Sequence, residues 1–175
     1  MPMGKVTGVL SVVGPRENIT ESKSLQNPVW AAATKRGQTV LQRAWKRHLH
    51  VYLVFVTAAD RKHKARVVGA AKMTSDLTKA PRNWTISGRW DKMSCFNVEW
   101  LVLECEPQKT AKTLPLAISE DTGISKVSHE HEAAVVQFLL EPTHQFANRS
   151  ELIYLWQIVR ARDASPHRKH KTHKD

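Results

Sequence analysis

The chain is poor in the residues that would mark it as secreted, membrane-bound or catalytic. Two cysteines occur in 175 residues, Cys95 and Cys105, so no disulfide framework is implied. Apolar runs are short: the longest clear one, VYLVFVTAA at 51–59, has strand length and falls far below the roughly 20 residues a membrane span needs. The first residues, MPMGKVTG, hold no hydrophobic signal region, and the chain is expected to be intracellular. There is no internal repeat, no GxSxG elbow, no phosphate loop and no dinucleotide-binding glycine pattern. His129, Glu130 and His131 together with Cys95 and Cys105 suggest a metal at first sight. Their spacing fits neither a zinc deaminase nor an HExxH site, and on a helix His129 and His131 would point to different faces. The expectation is therefore no metal, no cofactor and no enzyme. Acidic residues are also in deficit, 16 against 27 Lys and Arg, for a net charge of +11. A polyanionic partner follows from that balance, nucleic acid first, with a merely solubilising charge as the plainer alternative.

Hydrophobic residues make up 41% of the chain, enough for one domain with a real core. The expected elements alternate loosely between the two periodicities. Residues 5–13 read as a β-branched strand closed by Gly14-Pro15, and 17–27 as a polar stretch with a short helix begun by Thr20 or Ser22. Residues 38–49 carry a helical apolar stripe, 50–58 and VVGAAKM form strands joined by the turn DRKHKAR, and 76–94 are a loop. CFNVEWLVLEC is a further strand, LPLAIS a short one and EDTG a turn, before two closing helices, HEHEAAVVQFLLE and RSELIYLWQIVRAR. The class is α/β, in the α+β sense: one domain over 1–160, then a basic tail over 161–175 expected to be disordered. The tail's RKHKTHK reads equally as a nuclear address, an RNA arm or a solvated end, so the nucleus is favoured over the cytoplasm only by its charge.

Six tryptophans divide into two groups. Trp45, Trp100 and Trp156 sit in periodic apolar patterns and are assigned to the core. Trp30, Trp84 and Trp90 have polar or basic flanks that read as loops, with Lys35, Arg36, Arg82 and Arg89 nearby. A single loop indole more often caps a core than binds a ligand. Three of them in a basic chain favour a cage around one base, because an indole in a polar loop leaves apolar surface uncovered unless it binds something.

Five segments, in order, resemble the YTH domain family: VWAAATKRGQTVLQRAW at 29–45, VYLVFVTAAD, VVGAAKMTSDL, CFNVEWLVLE and LPLAISEDTGISKV. The resemblance implies an open six-stranded, barrel-like sheet surrounded by helices, of the PUA group, that reads N6-methyladenosine in single-stranded RNA. Carried over by position, Trp30, Trp84 and Trp90 would be the cage walls, with Met93 as substitute for the third. Asn18, the backbone carbonyl around Ala31 and the backbone amide near Gly14 would hydrogen-bond the base edge. The resemblance further implies mRNA-processing or decay proteins as partners of a monomer. Two positions depart from the family pattern, where Val12 and Glu120 stand in place of basic residues. Lys72, Arg82, Arg89 and Lys92, with Lys109 and Lys112, are candidates to replace those phosphate contacts, although for any one of them a solvated surface charge is the plainer reading. Rival readings are the same fold binding RNA without methyl selectivity, and a protein-interaction module whose indoles dock a peptide.

Overall fold

A computed structural model describes residues 7–32, 34–48, 50–79, 94–118 and 123–163. Within these the order is β1 (Thr7–Gly14), α1 (Arg16–Ser24), β2 (Val29–Ala32), α2 (Lys35–Arg47), β3 (His50–Thr57), β4 (Val67–Met73), β5 (Thr78–Lys79), β6 (Ser94–Glu104), β7 (Ile124–Lys126), α3 (His129–Leu139), β8 (Gln145–Phe146) and α4 (Arg149–Asp163). One mixed sheet runs β2-β6-β4-β3-β1-β7, with β5 and β8 added on β6. Six strands make the path, with helices on both faces, in keeping with the barrel-like expectation.

The first two strands of the centre, β1 and β3, are parallel, in register from Thr7↔His50 to Gly14↔Thr57. Parallel neighbours cannot be joined by a tight turn, so the chain must cross over between them. The crossover is α1–β2–α2, and it carries β2 to the far edge of the sheet. Each helix has a local cause. Pro15, extended at φ −62° and ψ 144°, closes β1 and starts α1 at once. Thr34 caps α2 by accepting from the Gly37 amide at 3.0 Å. Glu130 and Glu132 stand in the first turn of α3, where the helix dipole favours them. Register breaks at Phe55/Val56 and Ala70/Ala71 bend β3 and β4, and such irregularities curl a sheet.

Alternation along the strands gives two cores. On one face Leu10, Val12, Leu53, Phe55 and Trp100 pack beneath Ile19 of α1 and Leu41 and Ala44 of α2. On the other, Val9, Tyr52, Val54 and Val56 pack under Val135, Val136 and Leu139 of α3 and Leu152, Leu155 and Val159 of α4. Trp100 is buried, as assigned, while Trp45 and Trp156 are only partly buried against the two cores.

Four expectations need correction. The first helix starts at Arg16 and not at Thr20 or Ser22, because Pro15 supplies both the stop and the start. LPLAIS is not a strand: 111–115 form turns and 116–118 are irregular, and the short strand comes after the turn, at Ile124–Lys126. Trp30 is not in a loop but in β2, 2% exposed. Finally, the last helix, expected over 149–162, runs to Asp163 and carries the fold past the domain boundary expected at 160, because Arg162 is buried and pairs with Glu132 of α3.

Candidate nucleic-acid interface

The curl of the sheet brings β2, at one edge, back against the end of β1. Trp30 is the point of contact. Its ring stands edge-on to Phe55, centroids 5.0 Å apart at 85°. Its benzo edge lies on the Cα of Gly14: a Cβ there would sit 2.6 Å from Cζ2 and 2.7 Å from Cη2 of the indole. No side chain fits at position 14 without moving the ring, which gives the Gly-Pro pair a role beyond ending a strand.

Helix α1 leaves from this point, and its first turn places Asn18 alongside. Asn18 is 5% exposed, yet among the described residues no hydrogen bond engages its side-chain amide. The helix is clamped over β2 by Ser22, whose hydroxyl donates to the Val29 carbonyl at 2.7 Å and accepts from the Trp100 indole N–H at 3.2 Å. Ser22 therefore fixes the distance from α1 to β2. Sequence reasoning treated it only as a possible helix start, and no motif marks it.

The backbone of β2 has a definite polarity. The Val98 amide donates to the Pro28 carbonyl at 3.0 Å, so Pro28 and Val98 are a hydrogen-bonded pair. Antiparallel pairs alternate between hydrogen-bonded and non-bonded. With Val29↔Asn97, Trp30↔Phe96 and Ala31↔Cys95 in unbroken register, Ala31 falls in a non-bonded pair. Its N–H and C=O point away from β6, outward from the sheet edge. Gly14, Asn18, Trp30 and Ala31 thus form one neighbourhood from three different elements.

A groove of about 600 Å³ opens at the same end of the sheet, where β1 runs into α1 and β3 into the turn before β4. Arg16, His63, Lys64 and Arg66 line it, with Glu17 and Asp60 as the acidic members. Asp60 is committed to its own turn: its carboxylate accepts from the amides of Lys62 at 2.8 Å and His63 at 2.6 Å, and these bonds hold its pKa below the usual carboxylate value. The basic run DRKHKAR reads from sequence only as a turn. What the sequence could not tell was that the turn faces Arg16 across this groove.

Other candidates fall elsewhere. Trp84, Trp90, Met93, Arg82, Arg89, Lys92 and Glu120 lie outside the described residues. Lys72 corrects its assignment as a phosphate contact: it lies on the opposite face, 3.3 Å from the Glu151 carboxylate of α4 and over the Tyr52 ring. Its charge is already used inside the fold. Lys109 lies 3.8 Å from Glu141, and Val12 is a core residue at 1% exposure, so no cation reaches the site from β1. His129 bonds Glu132 at 2.7 Å, and among the described residues no three His, Cys, Asp or Glu gather to hold a metal. No described helix is long and apolar enough to cross a membrane.

A curled mixed sheet with a tryptophan at the meeting of its edge strand and the β1–α1 junction defines a mixed α/β class. Residues 16–141 match the YT521-B-like (YTH) domain model, and the chain belongs to that family. No curated protein matches. Among solved structures, the YTH domain of Zygosaccharomyces rouxii MRB1, in complex with N6-methyladenosine RNA, is similar at 19% identity and a TM-score of 0.57, over 76% of this chain and 87% of that one. The Pho92 YTH domain, in complex with m6A, is 18% identical with a TM-score of 0.58, over 81% and 89%. The Toxoplasma CPSF4 YTH domain, in complex with an m6A-modified RNA, is 18% identical with a TM-score of 0.53, over 80% and 95%.

Proposed function

We propose that the protein is a reader of N6-methyladenosine in single-stranded RNA that performs no chemistry on the base. The observation that carries this reading is the convergence of Gly14, Asn18, Trp30 and Ala31 at one end of a YTH fold. The relatives crystallised with N6-methyladenosine RNA support it.

Each group has a task in that reading. Trp30, backed by Phe55 and Gly14, is a rigid wall for stacking, and Trp84 and Trp90, or Met93 in place of Trp90, supply the others. Stacking a base on an aromatic contributes about 1–3 kcal/mol. The methyl group adds only about 0.8 kcal/mol by transfer, so selectivity has to come from the shape of the cage and the exclusion of water. The one N6–H that methylation leaves needs an acceptor, because a buried unpaired donor costs about 1–3 kcal/mol. The outward carbonyl of Ala31 is suited to that, and the unengaged amide of Asn18 to a ring nitrogen. Arg16, Lys64 and Arg66 then take the flanking phosphates in place of the cations missing at Val12 and Glu120. The protein acts as a monomer, by recruiting or displacing mRNA-processing or decay factors.

The test is a calorimetric titration of one short RNA, with and without a methyl on its central adenine, against wild type, Trp84→Ala and Asn18→Ala. The expected result is a clear preference for the methylated strand, lost in Trp84→Ala. Asn18→Ala should weaken binding by roughly tenfold with little change in stability, from the loss of one hydrogen bond of about 1–3 kcal/mol. Equal affinity for both strands, indifferent to either substitution, would leave the second reading: a YTH fold that binds RNA generally, which the burial of Val12 favours.

A further inference from the structure

We infer that a second RNA contact lies between α2 and the β1–β7 edge: a basic groove that holds the phosphodiester backbone of the strand read at Trp30, well away from the modified base. This rests on the RNA reading proposed above, though not on methyl selectivity.

The groove encloses about 190 Å³. Its floor is the backbone of β1 from Gly8 to Leu10, and its walls are Val40, Ala44 and three cations, Arg43, Arg47 and Lys126, with His48 at the end. No acidic residue lines it. Arg43, Arg47 and Lys126 are exposed, and among the described residues no carboxylate forms an ion pair with any of them. Every lysine or arginine on α2 is likewise outside the described ion pairs, and the helix has five basic residues and no acidic one.

The arrangement follows from helical spacing. Val40, Arg43, Ala44 and Arg47 stand at i, i+3, i+4 and i+7, so they form one stripe above β1. Like charges four residues apart work against a helix; the helix dipole favours Arg47 in the last turn, but no described carboxylate pairs with Arg43 or Arg47. Lys126 comes up from the edge strand β7, opposite Leu10 in register. The floor is shaped by Gly8: a Cβ there would lie 2.6 Å from Cδ2 of His48, so only glycine lets the imidazole lie flat on the strand.

Size and charge select the occupant. A volume of 190 Å³ is below the roughly 300–1,000 Å³ of pockets that enclose small organic ligands. Three cations beside the apolar walls of Val40 and Ala44 suit a phosphate and the sugar edge beside it. The position then gives the route. Gly8 and Gly14 lie six residues apart on β1, roughly 20 Å at strand rise. A stacked strand rises about 3.4 Å per nucleotide, so the groove lies about six nucleotides from the base site. The path between the two follows β7, the outer strand of the sheet.

The experiment measures fluorescence-anisotropy affinity of the full chain for two RNAs across a salt series. One has about five nucleotides, and the other about 15 with the adenine at its centre, long enough to span the two sites. Each is used methylated and unmethylated. In Arg43→Ala/Arg47→Ala/Lys126→Ala the longer strand should bind at least tenfold more weakly, and the slope of log affinity against log salt should fall by about 2, at roughly 0.7 per phosphate contact on a single strand. The short strand and the ratio between methylated and unmethylated RNA should not change. Arg43→Lys/Arg47→Lys should retain the slope, and unchanged circular dichroism melts would show that all variants fold. Unchanged affinity and slope for the long strand overturn the inference and make these residues solvated surface charges. Should wild type ignore the methyl while the triple variant still loses the long strand, the base-reading proposal fails and the groove stands. No binding of either RNA overturns both.

Discussion

The two faces of the sheet treat polar groups in opposite ways. Beneath α3 and α4 the buried charges are largely engaged with one another, the buried Arg162 Nε alone of that guanidinium lacking a hydrogen-bond partner among the described residues. Glu132, 1% exposed, takes Arg162 from α4 and His129 from its own helix, and Arg162 also reaches Thr7 of β1. Glu151 accepts from the Tyr52 hydroxyl at 3.0 Å and from Lys72 at 3.3 Å, and His144 bridges the Glu106 amide and the Phe138 carbonyl. Under α1 and α2 the contrast lies in an Asn18 amide and α2 cations that have no partner among the described residues, and in an outward carbonyl at Ala31. Ser22 and Lys23 are engaged there: Ser22 with Val29 and Trp100, and Lys23 with Glu104 at 3.9 Å and the Val68 carbonyl, and burial lowers the Lys23 pKa. Polar groups satisfied inside the fold hold it together. Polar groups left with spare capacity are what a ligand can use.

The largest expected effect tests the holding face. Removing one partner of a buried ion pair leaves the other charge stranded, at about 3–5 kcal/mol. Glu132→Ala should therefore lower the unfolding free energy by that amount, read from a lower midpoint in a urea titration, while the folded protein keeps its RNA affinity. An equally large loss of RNA binding in material that is still folded would break the division between the faces.

Gly14→Ala is the next in size and tests the other face. The added methyl would meet the Trp30 ring at 2.6 Å. Overpacking of this kind costs about 1–3 kcal/mol, and here it has a local readout, because the ring pushed away is the proposed cage wall. The expected outcome is a moderate loss of stability together with a changed tryptophan fluorescence and a weakened response to RNA. Loss of stability with RNA binding intact would show that the contact only packs the core.

How far the sequence spoke depended on the kind of signal. Periodicity found α2, β3, β4 and β6 because each has a long apolar pattern. It failed at LPLAIS, where an apolar run of strand composition serves as a buried connection: Leu114 and Leu116 enter the second core from turn and coil. It failed again at Trp30. Four residues of β2 are too few for a pattern, and the polar neighbours that suggested a loop belong to the cap and first turn of α2. The family resemblance singled out Trp30 by position, independently of any strand pattern. Nothing in the sequence could show that Lys72 faces Glu151, a partner 79 positions away, or that the DRKHKAR turn meets Arg16. Such pairings come from topology, which a local pattern does not encode.

The smallest expected effect concerns Tyr52, the most buried phenol of the holding face. Burial first, then the hydrogen bond to Glu151, push its pKa well above that of a free tyrosine. Burial likewise raises the Cys95 thiol to about 11 and the Cys105 thiol to about 12. A group whose pKa is raised on folding contributes fully below its unfolded pKa and is lost as pH rises through the folded value. Stability should therefore hold through neutral pH, begin to fall near pH 8.5, where unfolded thiols titrate, and fall further above pH 10, where unfolded tyrosine does. Tyr52→Phe separates the parts. At neutral pH it removes one hydrogen bond, about 1 kcal/mol, and leaves Glu151 with Lys72. Above pH 10 it should erase the tyrosine share of the decline, so that the gap between variant and wild type narrows as pH rises. Urea unfolding at pH 7, 9 and 10.5 measures it. A gap that stays constant would mean that the phenol is solvated enough to ionise in the fold, and that the satisfied face is less dry than its hydrogen bonds imply. RNA affinity should be indifferent to the substitution throughout, because Tyr52 points away from Trp30 across the thickness of the sheet.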